Sequence, residues 1–198
     1  MRTYYAFQAK IYDRTRWSFL FGRNAILHDL PFDRDASLNI LEVGCGTGYN
    51  LRRLHRRFPN AQLVGVDLST DMLERAQKKT RSFSDQVQLV EGAYGEVELP
   101  FEPQLILFSY CLTMVNPHWI QLLRRAEKDV TTGGYVAVVD FHRSRYSWFR
   151  QHMKKHHVRM EAHILPFLNQ HFFPVLSETS KAYFGVWEYF QYVGKKMN

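Results

Sequence analysis

Cysteine is scarce in this chain: Cys45 and Cys111 are the only two among 198 residues. A pair of thiols so far apart makes no disulfide framework of the sort small exported domains need, and points to a reducing compartment. Long apolar runs are also missing, and no stretch approaches the roughly 20 residues that span a bilayer. The opening MRTYYAFQAKIYD has neither an apolar signal core nor a small-residue cleavage site. The expectation is therefore a cytoplasmic protein, at most peripheral at the inner face of the membrane. No G-x-x-x-x-G-K-[ST] is present, which argues against a P-loop nucleotide site. His152, His156, His157, His163 and Glu161 match neither an H-E-x-x-H helix nor a Cys/His framework, so no metal is expected. Acid is in deficit as well: the formal net charge is +7 and the pI about 9.5. Such a surface favours anionic partners, and both nucleic acid and an anionic membrane satisfy that bias.

What is present is ordinary globular composition, 45% hydrophobic and 23% charged, with length enough for one α/β domain. The chain is organised around NILEVGCGTGYNLRRLHRRFPNAQLVGVD, Asn39 to Asp67. An apolar run meets a loop with glycines at 44, 46 and 48; a helix follows over Tyr49–Phe58, then a second apolar run ending in Asp67. Strand, glycine turn, helix, strand and acid make the front half of a nucleotide-binding α/β unit. The glycines let the backbone turn tightly and approach a ligand, and the acid offers an acceptor pair to a ribose. A dinucleotide fold wants G-x-G-x-x-G, whereas here Tyr49 stands where the third glycine belongs.

Further strands are expected at Gln86–Val90, Gln104–Ser109 and Tyr135–Asp140, with helices after Ser69 and over Trp119–Lys128. Strands alternating with helices make a mostly parallel sheet covered on both faces. The tail patterns as two strands, Val175–Tyr183 and Trp187–Gly194, whose short connection makes them antiparallel. A single domain over 1–198 is expected, in four parts: a helical lid (1–30), a core (38–141), a basic helical insertion (142–173) and the terminal hairpin (174–194). The first part, with Tyr4, Phe7 and Ile11 at helical spacing, either packs over the sheet edge or carries aromatics and arginines over the crevice. Residues 141–160 hold six Lys or Arg and no acid, interleaved with Trp148, Phe149, Met153 and Met160. That pattern reads either as a membrane-surface helix or as a surface helix packed by its apolar stripe. Cys45 and Cys111 fall in ligand-side turns and read as small neutral fillers.

LEVGCGTG, VGVDLSTDML, LILFSYCLTMV and TTGGYVAVVDF resemble the motif series of class I S-adenosylmethionine-dependent methyltransferases over about residues 38–141. The resemblance implies a Rossmann-like seven-stranded sheet, parallel except for a C-terminal antiparallel hairpin, with helices on both faces. Its cofactor is S-adenosyl-L-methionine. Gly44, Cys45 and Gly46 would lie along the methionine part, Asp67 on the ribose, and Leu68 and Met72 about the adenine. Ser109 and Tyr110 would stand beside the sulfonium. The family usually has an Asp where this chain has Ala93, so the Ala93 backbone and the Tyr94 ring are what remain to meet the adenine.

YYAFQAKIYDRTRWSFLFGR, FSYCLTMV and FGVWEYFQYVGKK resemble bacterial N-methyltransferases of betaine-lipid synthesis, which methylate the amino group of diacylglyceryl-homoserine. The implied partner is an amine-bearing lipid or small molecule, with an anionic membrane surface nearby and no nucleic acid. An amine acceptor must arrive unprotonated, which makes Tyr12, Tyr110 and His142 the candidates for a mild base. Tyr12, Tyr110, Tyr183 and Trp187 offer aromatic faces to the cation that forms. Arg16 or Arg23 offers a partner to a carboxylate of the cofactor or of the headgroup. Two other readings stay open. One is a soluble small-molecule or quinone-precursor acceptor; the other is a non-catalytic basic module on nucleic acid, weakened by the absence of any RNA-binding motif.

Overall fold

The computed structural model describes residues 19–197. Seven strands form one sheet in the order β3-β2-β1-β4-β5-β7-β6. They are β1 (Asn39–Val43), β2 (Gln62–Asp67), β3 (Val87–Glu91), β4 (Leu105–Ser109), β5 (Tyr135–Arg143), β6 (Phe172–Ala182) and β7 (Trp187–Lys196). β1 lies inside the sheet, parallel to β2 through Leu41↔Val64 and to β4 through Leu41↔Ile106. Such a strand is buried on both faces, which is why its sequence is a continuous apolar run. β7 runs antiparallel between β5 and β6, with Tyr192 opposite Val138 and Ser177.

Helices cover both sides: α1 (Arg23–His28), α2 (Tyr49–Arg57), α3 (Thr70–Thr80), α4 (Trp119–Asp129), α5 (Ser147–Lys155) and α6 (Ile164–His171). Alternate strand residues feed two cores. Ile40, Leu63, Leu105 and Val139 meet Leu51 and Leu54 of α2 on one face. Leu41, Val64, Ile106 and Phe108 meet Leu123 of α4 and Phe190 on the other. Tyr192 is wholly buried in the second core, and its hydroxyl lies 3.1 Å from both the Leu168 and Phe172 carbonyls. The strand order reverses between β1 and β4, which opens a crevice at the carboxyl ends of the parallel strands.

The seven-stranded mixed sheet expected from sequence is the one observed. Its ends differ in detail. β6 starts at Phe172 rather than Val175, because the ladder continues past Pro174 through a bulge before Leu176. β5 runs on to Arg143 through a second irregularity after Phe141. Within residues 142–173 there are two helices, α5 and α6, separated by a turn in which His157 and Ala162 take positive φ. Of the helical pattern expected over 3–30, α1 alone falls among the described residues; Tyr4, Phe7, Ile11, Tyr12 and Arg16 lie outside them.

β1 also carries an acid in its buried middle. Glu42 is 1% exposed and accepts a hydrogen bond from Asn50 Nδ2 at 2.7 Å. Burial pushes its carboxyl up from 4.5 to about 8, against the pull of the Asn50 bond and of Arg23. The folded state therefore holds this proton more tightly than the unfolded chain. Stability from this group is fully present below pH 4.5 and is lost as pH rises toward 8, by up to about 1.4 kcal/mol per pH unit. Glu42→Gln keeps the shape and the Asn50 bond but has no proton to lose. Urea unfolding should show the wild type losing stability between about pH 5 and about pH 8 and the variant losing markedly less.

Candidate active site

The turn after β1 is folded by its own backbone. Gly44 and Cys45 both donate their N–H to the Val66 carbonyl, at 2.8 and 3.1 Å, which seats the loop on the end of β2. Gly48, at φ +72°, brings α2 in beside α3, so that a Cβ there would stand 3.1 Å from the Ala76 Cα. Gly46, at φ +52°, has nothing within 4 Å of where a Cβ would be. Its backbone faces open space at the strand tips, where a ligand can lie against it.

Asp67 ties this turn to the next helix. Gly46 N–H donates to Oδ2 at 2.8 Å and Ser69 N–H to Oδ1 at 3.0 Å. Ser69 in turn caps α3, accepting from Met72 N–H at 3.4 Å. Burial raises the Asp67 carboxyl above its ordinary value, and the N–H groups of Ser69, Gly46 and Leu68 work against that rise. These N–H groups do not exhaust the acceptor capacity of the carboxylate, which keeps room for a ligand hydroxyl. At the tip of β4, Ser109 Oγ is buried with no hydrogen-bond partner. An open glycine backbone after β1, a carboxylate at the end of β2 and an orphan hydroxyl at the end of β4 all stand at the carboxyl ends of the parallel strands, and S-adenosylmethionine fits that donor and acceptor set.

The remaining expected residues are placed unequally. Arg23, first residue of α1, holds its guanidinium 4.1 Å above the Tyr49 ring, so it stands beside the glycine turn. Leu68 is 59% exposed, an apolar side chain held open at the crevice, whereas Met72 is already buried at 2%. Cys45 is buried and Cys111 half-buried, and desolvation pushes both thiols well above their ordinary value, so neither is a nucleophile. Cys111 Sγ packs against Gly44.

Tyr94 is a correction. Its ring sits in the second core, edge-on to Phe108 at 6.3 Å, and its hydroxyl donates to Asp129 Oδ2 at 2.9 Å. A side chain 7% exposed and already hydrogen-bonded offers no face for an adenine to stack on. Ala93 stays half-buried at the end of β3, in a turn closed by Glu96 N–H on its carbonyl.

Of the three candidates for a base, the two among the described residues, Tyr110 and His142, are not brought together. Tyr12 lies outside the described residues. Tyr110, at φ +53°, donates its hydroxyl to the Phe21 carbonyl at 2.7 Å and packs edge-on against Phe141 at 4.8 Å. Burial pushes its phenol far above the ordinary range, so it acts as a tether and not as a base. His142 follows Phe141 on β5 and faces the other side of the sheet, 5.9 Å from the Phe190 ring. Burial lowers it below the ordinary 6.5, so it is neutral at neutral pH, and its Nδ1 has no partner. Of the pair, His142 alone retains the chemistry of a base.

Two features of the site carried no signal in the sequence reading. Phe21 links Tyr110 to the terminal hairpin, with its ring 5.6 Å from Tyr183 and 6.0 Å from Tyr189. Asp140 is wholly buried and pins the loop after β4, accepting from Thr113 Oγ1 at 2.5 Å and Thr113 N–H at 3.1 Å. Burial raises its carboxyl to about 6. The alternation of β5 marks Asp140 as inward-facing, which is the one clue that it needed partners.

Comparison with known proteins bears on the same stretch. A family profile described as a methyltransferase domain matches residues 40–134. The malonyl-[acyl-carrier protein] O-methyltransferase of Priestia megaterium is 43% identical over 77 residues, 39% of this chain and 27% of that protein. The trans-aconitate 2-methyltransferase of Rhodopseudomonas palustris is 29% identical over 103 residues, 52% of this chain and 38% of that protein. The match thus spans well under half the length of these curated relatives. Among solved structures, the N-methyltransferase NodS of Bradyrhizobium japonicum WM9, in complex with S-adenosyl-L-homocysteine, superposes with a TM-score of 0.72 at 16% identity. That superposition covers 89% of this chain and 86% of the other. The 1,6-didemethyltoxoflavin-N1-methyltransferase of Burkholderia thailandensis reaches a TM-score of 0.75 at 16% identity, covering 100% and 87%. Residues 40–134 of this chain thus match a methyltransferase domain, on a sheet that shares the fold of structures solved with S-adenosylhomocysteine bound.

Proposed function

We propose that this protein transfers a methyl group to the neutral amine of a lipid headgroup, a diacylglyceryl-homoserine-like amine being the specific acceptor. The observation that carries this reading is the wall beside the tip of β4. Phe19, Phe21, Tyr183 and Trp187 form one aromatic cluster there, with centroids 4.7 to 6.2 Å apart. The Tyr110 hydroxyl anchors it to the strand through the Phe21 carbonyl. An aromatic wall suits an amphiphile whose nitrogen becomes cationic on methylation.

When bound, S-adenosylmethionine supplies a methyl group already activated by its sulfonium. The protein's part is then positioning. Asp67 holds a diol, the Gly46 backbone lies against the ligand, and Ser109 Oγ supplies a polar contact at the tip of β4. His142, neutral and half-buried, lies on the other face of the sheet from this wall, so it takes the acceptor's proton through water and not by direct contact. Arg23, beside the glycine turn, pairs with a carboxylate.

A second reading has its own support. The curated relatives carry the names of malonyl-[acyl-carrier protein] and trans-aconitate methyltransferases, and their matched region is the one that holds the cofactor turn. On that reading the acceptor is a soluble carboxylic acid. A soluble amine or quinone precursor remains a third acceptor.

Methyl label from S-adenosylmethionine separates these readings when amino lipids in vesicles, soluble amines, phenolic quinone precursors and short dicarboxylic acids are offered side by side. The lipid-amine reading expects base-stable label in the lipid phase. Base-labile label, released as methanol from a methyl ester, would replace it with the carboxylate reading. The pH dependence tests the base. Activity through His142 rises with pH across a midpoint below 6.5, because the neutral ring is the working form. His142→Gln should flatten that limb. Tyr110→Phe should keep it, and should lower kcat/KM by about fivefold to tenfold for the loss of one hydrogen bond of roughly 1 kcal/mol.

A further inference from the structure

The hairpin between β6 and β7 ends in a turn that puts an aromatic ring wholly into solvent. Tyr183 and Phe184 take φ of 47° and 56°, and Gly185 completes the turn at 89°. Left-handed backbone at two consecutive aromatic residues is strained, and such strain is kept where it serves a purpose. Here it leaves Phe184 106% exposed, while Tyr183, 45% exposed, keeps one side of its ring on Phe21 and Trp187. Across a groove stands Trp148 of α5, 61% exposed, and Phe19 lines the same groove at 40%. The groove measures about 670 Å³, and its floor is the buried pair Phe149 and Trp187, stacked at 5.0 Å. Phe19, Trp148 and Tyr183 held open around one groove, with Phe184 next to it in the chain, exceed what scattered surface residues explain.

The surroundings are cationic. Arg145, Arg150, Lys154 and Lys155 are exposed on or beside α5, and Lys181 is exposed next to the hairpin tip. Residues 141–160 contain no acid, and the nearest one on β7, Glu188, is taken up by Arg143 Nε at 2.7 Å. β7 runs antiparallel to β5, so its first residues lie beyond the carboxyl end of β5, the end at which the crevice opens. Phe21 spans the gap, touching Tyr183 on one side and receiving the Tyr110 hydroxyl on the other.

We infer that this face docks on an anionic lipid bilayer, with Phe184 and Trp148 inserted among the headgroups and the cations of α5 and Lys181 on the lipid phosphates. Protruding single aromatics ringed by Lys and Arg suit a fluid, negatively charged interface. The face adjoins the crevice, so a headgroup amine reaches the β4 tip without its lipid leaving the leaflet. The inference deepens the lipid-amine reading and rests on it for the purpose of docking, not for docking itself.

Flotation of the whole protein with vesicles of pure phosphatidylcholine, or of phosphatidylcholine with about a third phosphatidylglycerol, tests it. Strong partition to the anionic vesicles alone is expected, with at least a tenfold loss for Phe184→Ser, for Trp148→Ser and for Lys154→Glu with Lys155→Glu. Circular dichroism of each variant shows that it is folded. Absence of partition, or folded variants that partition as the wild type does, would overturn the inference. So would self-association of the wild type abolished by Phe184→Ser with no vesicle binding, which would make the face a contact between copies. Methyl transfer to a short-chain soluble headgroup separates the two ideas. Transfer without vesicle binding leaves the enzyme reading and removes docking; vesicle binding without transfer to any amine leaves docking and removes the acceptor.

Discussion

The carboxylate of Asp67 is the joint on which the ligand end of the molecule depends. With one oxygen it receives the Gly46 N–H of the turn after β1; with the other it receives the Ser69 N–H that opens α3. Two segments from neighbouring strands are thereby locked to a single side chain at the strand tips. Gly44 and Cys45 add two N–H bonds to the Val66 carbonyl just before it, so the turn cannot lift away from β2. The carboxylate is thus a structural knot, and under the proposed function its remaining acceptor capacity is what a ligand hydroxyl would use.

Much of this was legible in the residues. Apolar runs ending in Gly44 and in Asp67 announce parallel strands buried on both faces, and the spacing of the glycines announces the turn. The antiparallel hairpin followed from a connection too short to cross over, and β7 does lie between β5 and β6. What failed to be legible was direction. Tyr94 follows the third strand as an adenine contact would, but its ring turns inward to Phe108 and its hydroxyl to Asp129. Tyr110 sits at the right strand tip, yet a positive φ aims its phenol at the Phe21 carbonyl. Strand position can be read from a pattern of period two; the φ of a single residue in the following turn cannot.

The flanks show the same division. Residues 141–160 read as a basic amphipathic stretch, and α5 does bury Phe149 and Met153 while Trp148 stays exposed. Packing and surface roles therefore fall to different residues of one helix, where the sequence had offered them as alternatives. Phe184 carried no such mark, because its exposure comes from the left-handed turn that holds it and not from any periodicity. The fold thus places its cofactor turn, its aromatic wall and its basic face at one end of a single sheet.

The claim beneath all of this is that the Asp67 carboxylate makes the glycine turn a site for S-adenosylmethionine. Calorimetric titration with S-adenosylhomocysteine, on the wild type and on Asp67→Asn, measures it without reference to any acceptor. One saturable site per chain is expected in the wild type, with affinity at least tenfold weaker in the variant, since an amide offers one acceptor where the carboxylate offers two. Equal affinity in the two proteins, or no binding to the wild type, would contradict the account.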